Sequence, residues 1–189
     1  METTTIRLVR NATLRLQYAG KHILVDPFFA EKGSMQSAIG VYRTPRVHLT
    51  IPIREITEGL DLVLQTHIHP DHYDDTVKVH LPKDIPYYTQ PQDTATVAQD
   101  GFTRVQAIED KLEIENLTIY RIPGHHGFGK IGEMMGPVSG YVLTAKGCPT
   151  VYIMGDCKWE ACIRKTVEQL KPDYLVVTHM EPDHSGSLM

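Results

Sequence analysis

The sequence predicts a single α/β domain over residues 1–189, and three observations support this prediction. The N-terminal residues alternate apolar and polar side chains between turn residues, which is typical of antiparallel strands. Several later apolar runs stop abruptly at polar residues, which is typical of buried strands that end in loops. An apolar stripe of helical spacing lies in the last third of the chain. A length of 189 residues with 41% hydrophobic residues is ordinary for one globular domain.

The first 25 residues predict a small β-meander. Asn11 and Gly20 are turn residues between three short runs, and the third run ends at Asp26 and Pro27, where proline forbids further ladder bonding. Asp26 either orients a metal ligand or bonds its own backbone as a turn residue. Residues 28–60 then form a long connection rich in Gly, Pro, Ser and Arg, and connections of this length are usually functional.

Helices and strands follow one another through the rest of the chain. Asp74 is placed to cap a short helix that ends before Pro82, and a second helix is expected before Gly101. Apolar runs predict the strands, at residues 85–88, 105–107, 112–114, 117–120, 140–144 and 150–154. The apolar stripe predicts a core-facing helix over residues 158–170.

One stretch carries most of the chemical information. It directly follows the apolar run at residues 62–64, and within six residues it contains His67, His69, Asp71 and His72. The first two histidines are two residues apart, so in extended backbone they point the same way and can share one ion. The proline after them bends the chain, which leaves the aspartate and the third histidine to face a second position. Because neutral imidazole and carboxylate suit zinc, manganese or iron, the stretch predicts a metal site.

Two further strand ends present residue types that bind metals. His125 and His126 follow a predicted strand, and adjacent histidines in an extended loop point in opposite directions, so one of the two is expected to be a ligand. Asp156 follows the strand at 150–154, where it could bridge two metal ions, cap the next helix, or do both. Cys157 is either a soft ligand or a small residue that fills a tight turn.

The chain repeats part of its metal motif near its end. From His67 to His179 the offset is 112 residues, and at this offset residues 173–184 match residues 61–72 in Asp, Thr, His, Pro, Asp and His. The second copy has Glu181 in the place of His69. A single repeat suits a fold of two similar β-rich halves that bring strand ends to a common edge.

Composition excludes several classes of function. The formal net charge of −4 and the pI of about 6.2 provide no basic field for a nucleic-acid backbone. The first residues lack the apolar core of a signal peptide, and no stretch is long enough to span a bilayer. Three cysteines without zinc-ribbon spacing fit a reducing compartment. We therefore expect a cytoplasmic protein with no nucleic-acid or membrane partner.

In the order and spacing of these ligands, the chain resembles the metallo-β-lactamase superfamily. The signature His-x-His-x-Asp-His of that superfamily stands at residues 67–72, a later histidine matches His125 or His126, and a later Gly-Asp pair ends at Asp156. Residues 1–27 and 136–141 look most like the branch that contains the ascorbate-6-phosphate lactonases, whose middle histidine precedes a glycine, which favours His126. The resemblance covers most of residues 4–160. It implies a four-layer αββα sandwich of two mixed β-sheets with flanking helices.

The resemblance also implies two divalent metal ions and a role for each ligand. One ion would be held by His67, His69 and His126, the other by Asp71, His72 and His179, and Asp156 would bridge the pair. Zinc is the expected metal and manganese the alternative. A metal-bridging hydroxide would then cleave an ester, lactone or phosphoester bond of a small polar metabolite, with Asp71 and Asp156 as catalytic residues. Candidates for binding an anionic substrate are Arg43, Arg46 and Lys130.

The C-terminal tail departs from that pattern. Residues 172–188 resemble the metal motif of flavodiiron proteins, which gives a second hypothesis, a di-iron redox protein; a third is a metal-binding protein without catalysis. His179 could supply the last ligand of the hydrolase site, whereas the final helix of the fold has no sequence left to form from after it. The expected fold therefore lacks this helix, or a partner subunit completes it in a homo-oligomer.

Overall fold

Two β-sheets pack face to face over residues 3–36 and 41–178, which the computed structural model describes. The six strands of the first sheet, in spatial order, are β1 (Thr5–Arg10), β2 (Thr13–Tyr18), β3 (Lys21–Val25), β4 (Leu62–Gln65), β5 (Tyr87–Thr89) and β6 (Val105–Ala107). The five strands of the second sheet are β7 (Lys111–Ile114), β8 (Leu117–His125), β9 (Pro137–Ala145), β10 (Val151–Ile153) and β11 (Tyr174–Val176).

Both sheets are mixed, as predicted. In the first sheet β1, β2 and β3 pair antiparallel and form the predicted meander, and β3, β4, β5 and β6 pair parallel. In the second sheet β7, β8, β9 and β10 pair antiparallel, and β11 pairs parallel with β10. The parallel strands matter for the site because their carboxyl ends lie at the same edge of a sheet.

Five helices lie on the outer faces of the sheets. They are α1 (Ile53–Thr57), α2 (Asp75–His80), α3 (Thr94–Gln99), α4 (Gly129–Met135) and α5 (Ala161–Leu170). Asp74 caps α2 as predicted, because its side chain accepts a hydrogen bond from the backbone N–H of Val77 at 3.0 Å. None of the helices that the structure describes is long and apolar enough to cross a membrane.

Three clusters of buried apolar side chains define four layers. The cluster between the sheets takes residues from both, among them Leu16, Ile23, Ile119 and Ile153. A second cluster packs helices against the outer face of the first sheet, among them Ile56 of α1, Val77 of α2 and Val97 of α3. A third packs Ile163 of α5 against Val142 and Tyr152 of the second sheet. The prediction of an αββα sandwich is therefore confirmed.

Two local predictions were incomplete. The predicted helix at 158–170 begins only at Ala161, because the backbone N–H of Lys158 donates to the carbonyl of His125 and holds the preceding residues in a turn. Helix α4 was not predicted, since it is short and three glycines lie within or directly beside it. Both regions adjoin the strand ends that carry the candidate ligands.

The two copies of the internal repeat occupy equivalent strands of the two sheets. The first copy contains β4, which pairs parallel with β3, and the second contains β11, which pairs parallel with β10. The second copy beyond Thr178, with His179, Glu181 and His184, lies outside the described residues.

Candidate metal centre

The carboxyl ends of three strands meet at one edge of the sandwich. The loop after β4 carries the His-x-His-x-Asp-His motif, His126 directly follows β8, and Asp156 follows β10 after a two-residue turn. The first of these strands belongs to the first sheet and the other two to the second sheet. The site is therefore built between the sheets.

Two groups of potential ligand atoms lie close together in this loop cluster. The first group consists of His67, His69 and Asp156, and the second of Asp71, His72 and Asp156. Within each group the ligand atoms lie within 4.8 Å of one another. Asp156 is common to both groups, so its carboxylate stands between two positions that could each hold an ion.

The loop after β4 reaches this geometry through a tight turn. The backbone N–H groups of His72 and Tyr73 both donate to the carbonyl of His69, at 2.9 and 3.0 Å. Pro70, within the turn, fixes the backbone where the chain reverses. The four ligands of the motif therefore divide into two pairs that face different positions, as the spacing predicts.

Hydrogen bonds fix which nitrogen of His67 and His72 can bind a metal. Thr66 Oγ1 donates to Asp26 Oδ2 at 2.7 Å and lies 3.0 Å from His67 Nδ1, so it accepts from that nitrogen. Asp26 Oδ2 also lies 2.9 Å from His72 Nδ1. Both rings therefore carry a proton on Nδ1 and direct the lone pair of Nε2 into the site. Asp26 orients a ligand, which is one of the two alternatives for this residue.

His69 and His126 complete the ring of imidazoles. His69 Nε2 lies 2.7 Å from the carbonyl oxygen of Met135, the last residue of α4, which leaves Nδ1 of that ring for an ion. His126 Nε2 lies 3.1 Å from Asp156 Oδ2, and the centroids of the His69 and His126 rings are 5.1 Å apart. The sequence gave no sign that Met135 acts here, since a backbone carbonyl leaves no trace in a motif.

Of the two adjacent histidines, the structure brings only His126 to the cluster. His126 is 6% exposed. The side chain of His125 is 70% exposed, and its Nδ1 lies 2.8 Å from Glu160 Oε1 on the outside of the protein. The two side chains point in opposite directions, as expected for neighbours in an extended backbone.

The electrostatics of the site favour the forms of these residues that bind metals. Burial lowers the pKa of His67 well below its usual value, and the positive potential of His72 adds to this effect. Burial also lowers the pKa of His69. For Asp156, burial raises the pKa, but His72 and the hydrogen bond with His126 outweigh it, so the pKa lies well below the usual range. Neutral imidazoles thus surround an ionised carboxylate.

These residues fit a pair of divalent metal ions. His67 Nε2 is buried and has no hydrogen-bond partner among the described residues, and it faces Asp156 Oδ2 at 3.7 Å. A buried polar atom without a partner is costly, and a bound ion removes this cost. Imidazole nitrogens and carboxylate oxygens are also the ligands that zinc prefers in hydrolytic sites.

The other residues considered in the sequence lie outside the cluster. Cys157 is fully buried beside Gly124 and fills a tight turn. Asp156 does not cap α5, because that helix begins after Glu160. Arg43 donates to the carbonyls of Gly33 and Ser34, and the Arg46 guanidinium lies 4.4 Å from the centroid of the Tyr42 ring.

Gly155 is predicted to be essential for placing the bridging carboxylate. Its φ is +57°, and a Cβ there would lie 2.9 Å from the Ser139 carbonyl oxygen and 3.0 Å from Thr66 Cβ. We expect Gly155→Ala to lower the free energy of unfolding by about 1–3 kcal/mol in urea titrations and to weaken metal binding. Gly147→Ala is the control, because φ is +80° there and no atom lies within 4 Å of the added Cβ. Equal metal binding by the two variants would contradict this prediction.

The sequence matches known families over most of its length. Residues 21–172 match the family described as the beta-lactamase superfamily domain. The UPF0173 protein YddR of Bacillus subtilis (strain 168) is 34% identical over 178 aligned positions, which cover 91% of this chain and 70% of the relative.

Two solved structures share the fold closely. The isothiocyanate hydrolase from Delia radicum gut bacteria superposes with a TM-score of 0.84 at 36% identity, and the match covers 93% of this chain and 70% of that one. A possible metal-dependent hydrolase from Veillonella parvula DSM 2008 also has a TM-score of 0.84, at 30% identity over 91% of this chain and 69% of that one.

Proposed function

Because this chain belongs to the metallo-β-lactamase superfamily and is a metal-dependent hydrolase, we propose that it hydrolyses a small molecule at a centre of two divalent metal ions. One observation carries the proposal: the carboxylate of Asp156 is shared by two ligand groups, His67 with His69 and Asp71 with His72. A carboxylate in this position can bind two ions at once. His126 is assigned to the first ion because its Nε2 contacts the same carboxylate.

The ions and the protein divide the chemistry between them. When bound, two such ions make water acidic enough to act as a nucleophile near neutral pH and stabilise negative charge on the substrate. Asp71, with its side chain 34% exposed, can accept a proton from that water and return it to the leaving group. Thr66 and Asp26 hold two of the histidines in the orientation that binds metal. Zinc is the proposed metal, and manganese is the alternative.

We propose an ester, lactone or phosphoester as the first class of bond to test. The sequence resemblance to the lactonase branch supports this class. An anionic substrate would find Lys130, which lies in α4 beside the site, whereas Arg43 and Arg46 make contacts within their own loop. We also keep the cytoplasm as the proposed compartment and no nucleic acid or membrane as partner.

An isothiocyanate is the second candidate substrate, and two observations favour it. The chain is 36% identical to a structurally similar isothiocyanate hydrolase. Two exposed apolar side chains, Phe128 and Met134, also lie next to the ligand-bearing segments, at 65% and 86% exposure. They suit an uncharged organic group better than a phosphate. Addition of water to the central carbon of R–N=C=S and cleavage of its C–N bond would give the amine and carbonyl sulfide.

Metal content and substrate preference test this proposal together. We expect protein purified without chelators to contain two zinc or manganese ions per chain, to lose hydrolytic activity with the ions on chelation, and to regain it when zinc is returned. Benzyl isothiocyanate, an aliphatic lactone, a phosphorylated lactone and a phosphodiester would be compared by kcat/KM. One ion or none in the untreated protein would contradict the two-metal proposal, and two irons would favour redox chemistry.

A further inference from the structure

Gln65 occupies a position where an apolar residue would be expected. It is the last residue of β4, whose four residues are all buried, and the three before it are aliphatic. Burying a primary amide is costly unless its donors and its acceptor are all bonded. The partners of this side chain therefore show why the polar group is present.

The side-chain nitrogen of Gln65 contacts three oxygens of the metal centre. Nε2 donates to the main-chain carbonyl of His67 at 2.6 Å, to Asp26 Oδ1 at 3.0 Å and to the main-chain carbonyl of His72 at 3.1 Å. His67 and His72 belong to different ligand groups. A single amide thus contacts the backbone of both groups and the carboxylate that orients His72.

The orientation of this amide is fixed from its other side. The hydroxyl of Tyr87, which is fully buried, donates to Gln65 Oε1 at 2.7 Å. The hydroxyl of Tyr141 donates to the main-chain carbonyl of Gln65 at 2.9 Å. Because the amide nitrogen faces three acceptors and the amide oxygen faces a donor, only one orientation satisfies all the groups.

Asp26 transmits this constraint to the ligands. Its Oδ1 accepts from Gln65 Nε2 and from the backbone N–H of Thr66, and its Oδ2 contacts Thr66 Oγ1 and His72 Nδ1. A carboxylate held by both oxygens cannot rotate away from the histidine that it orients. The network from Tyr87 to His72 is continuous and buried.

We propose that Gln65 is a positioning residue that sets the spacing of the two ligand groups and the orientation of Asp26, and thereby the affinity of the centre for metal. This inference rests on the proposed function, because metal binding is its readout. Gln65 touches neither substrate nor ion. Its effect acts through the backbone of His67 and His72, and Tyr87 acts through Gln65.

The test uses Co²⁺ as the probe, because its visible absorption reports the ligands around it. Gln65→Met keeps the length of the side chain and removes the donors, and Tyr87→Phe removes only the hydroxyl that holds the amide. Tyr18→Phe is the matched control, because this hydroxyl is also buried but donates to Leu143 and Pro149, away from the centre. Each variant is titrated with Co²⁺ after chelation, and circular dichroism confirms that it is folded.

We expect Gln65→Met to weaken Co²⁺ binding by about 10- to 100-fold and to change the shape of the visible band. Tyr87→Phe should shift both in the same direction by less, and the double variant should bind no more weakly than Gln65→Met alone. Tyr18→Phe should leave affinity and spectrum unchanged. Wild-type affinity and spectrum in Gln65→Met and Tyr87→Phe would overturn this inference alone, whereas a wild-type protein that binds no Co²⁺ would overturn it together with the proposed function.

Discussion

Asp156→Asn is expected to remove at least one metal ion per chain and to lower kcat/KM by about 10³-fold. The variant keeps the size of the side chain but replaces one carboxylate oxygen by an amide nitrogen, which cannot bind a cation. In the structure both carboxylate oxygens are engaged, Oδ1 at 3.1 Å from His72 Nε2 and Oδ2 at 3.1 Å from His126 Nε2. Loss of metal catalysis worth about 4 kcal/mol corresponds to this fold-change.

Metal analysis and steady-state kinetics on the same preparations check this prediction. Asp61→Asn is the control, because Asp61 lies at the opposite end of β4, where its carboxylate accepts from the backbone N–H of His22 at 2.7 Å. That variant should keep its ions and its activity. If Asp156→Asn retains two ions per chain with unchanged kinetics, Asp156 is not a bridge.

His126→Ala should reduce metal content and lower kcat/KM by about 10²- to 10³-fold, whereas His125→Ala should leave both nearly unchanged. The physical reason is placement: His126 is buried against Asp156, and His125 faces the solvent and contacts Glu160. Loss of a direct ligand is expected to cost at least as much as loss of a group that orients one, for which 10- to 100-fold is usual.

The two histidine variants control for each other, because they remove the same group from neighbouring positions. Metal content, visible absorption after Co²⁺ loading and kcat/KM would be measured for both. A loss of metal in His125→Ala with none in His126→Ala would reverse the assignment. Similar losses in both would indicate that the loop after β8 had been disturbed as a whole.

The sequence was most informative where function depends on local spacing. The motif at residues 67–72 and the strand before it were predictable, because alternation in a strand and the bend at Pro70 are properties of neighbouring residues. The shared position of Asp156 was one of two alternatives, and only the distance between Asp156 and the start of α5 separates them.

Contacts between distant segments were not predictable in the same way. The hydrogen bond between His69 and the Met135 carbonyl joins residues 66 apart, and Tyr87 meets Gln65 across two parallel strands. The glutamine itself was visible as a polar residue at the end of an aliphatic run, but its three partners depend on the folded turn that follows. The start of α5 was misplaced because Lys158 bonds to the end of β8, which no helical pattern encodes.

The position of the metal centre between the two sheets has a consequence for the life of the folded protein. Its candidate ligands come from both sheets, His67 and His72 from the first and His126 and Asp156 from the second. Ions bound there act as cross-links that exist only in the native state, and by mass action a ligand at 100 times its dissociation constant stabilises that state by about 2.7 kcal/mol. Supply of metal would therefore govern resistance to unfolding and proteolysis as well as turnover, so that scarcity of the ion shortens the lifetime of the protein that needs it.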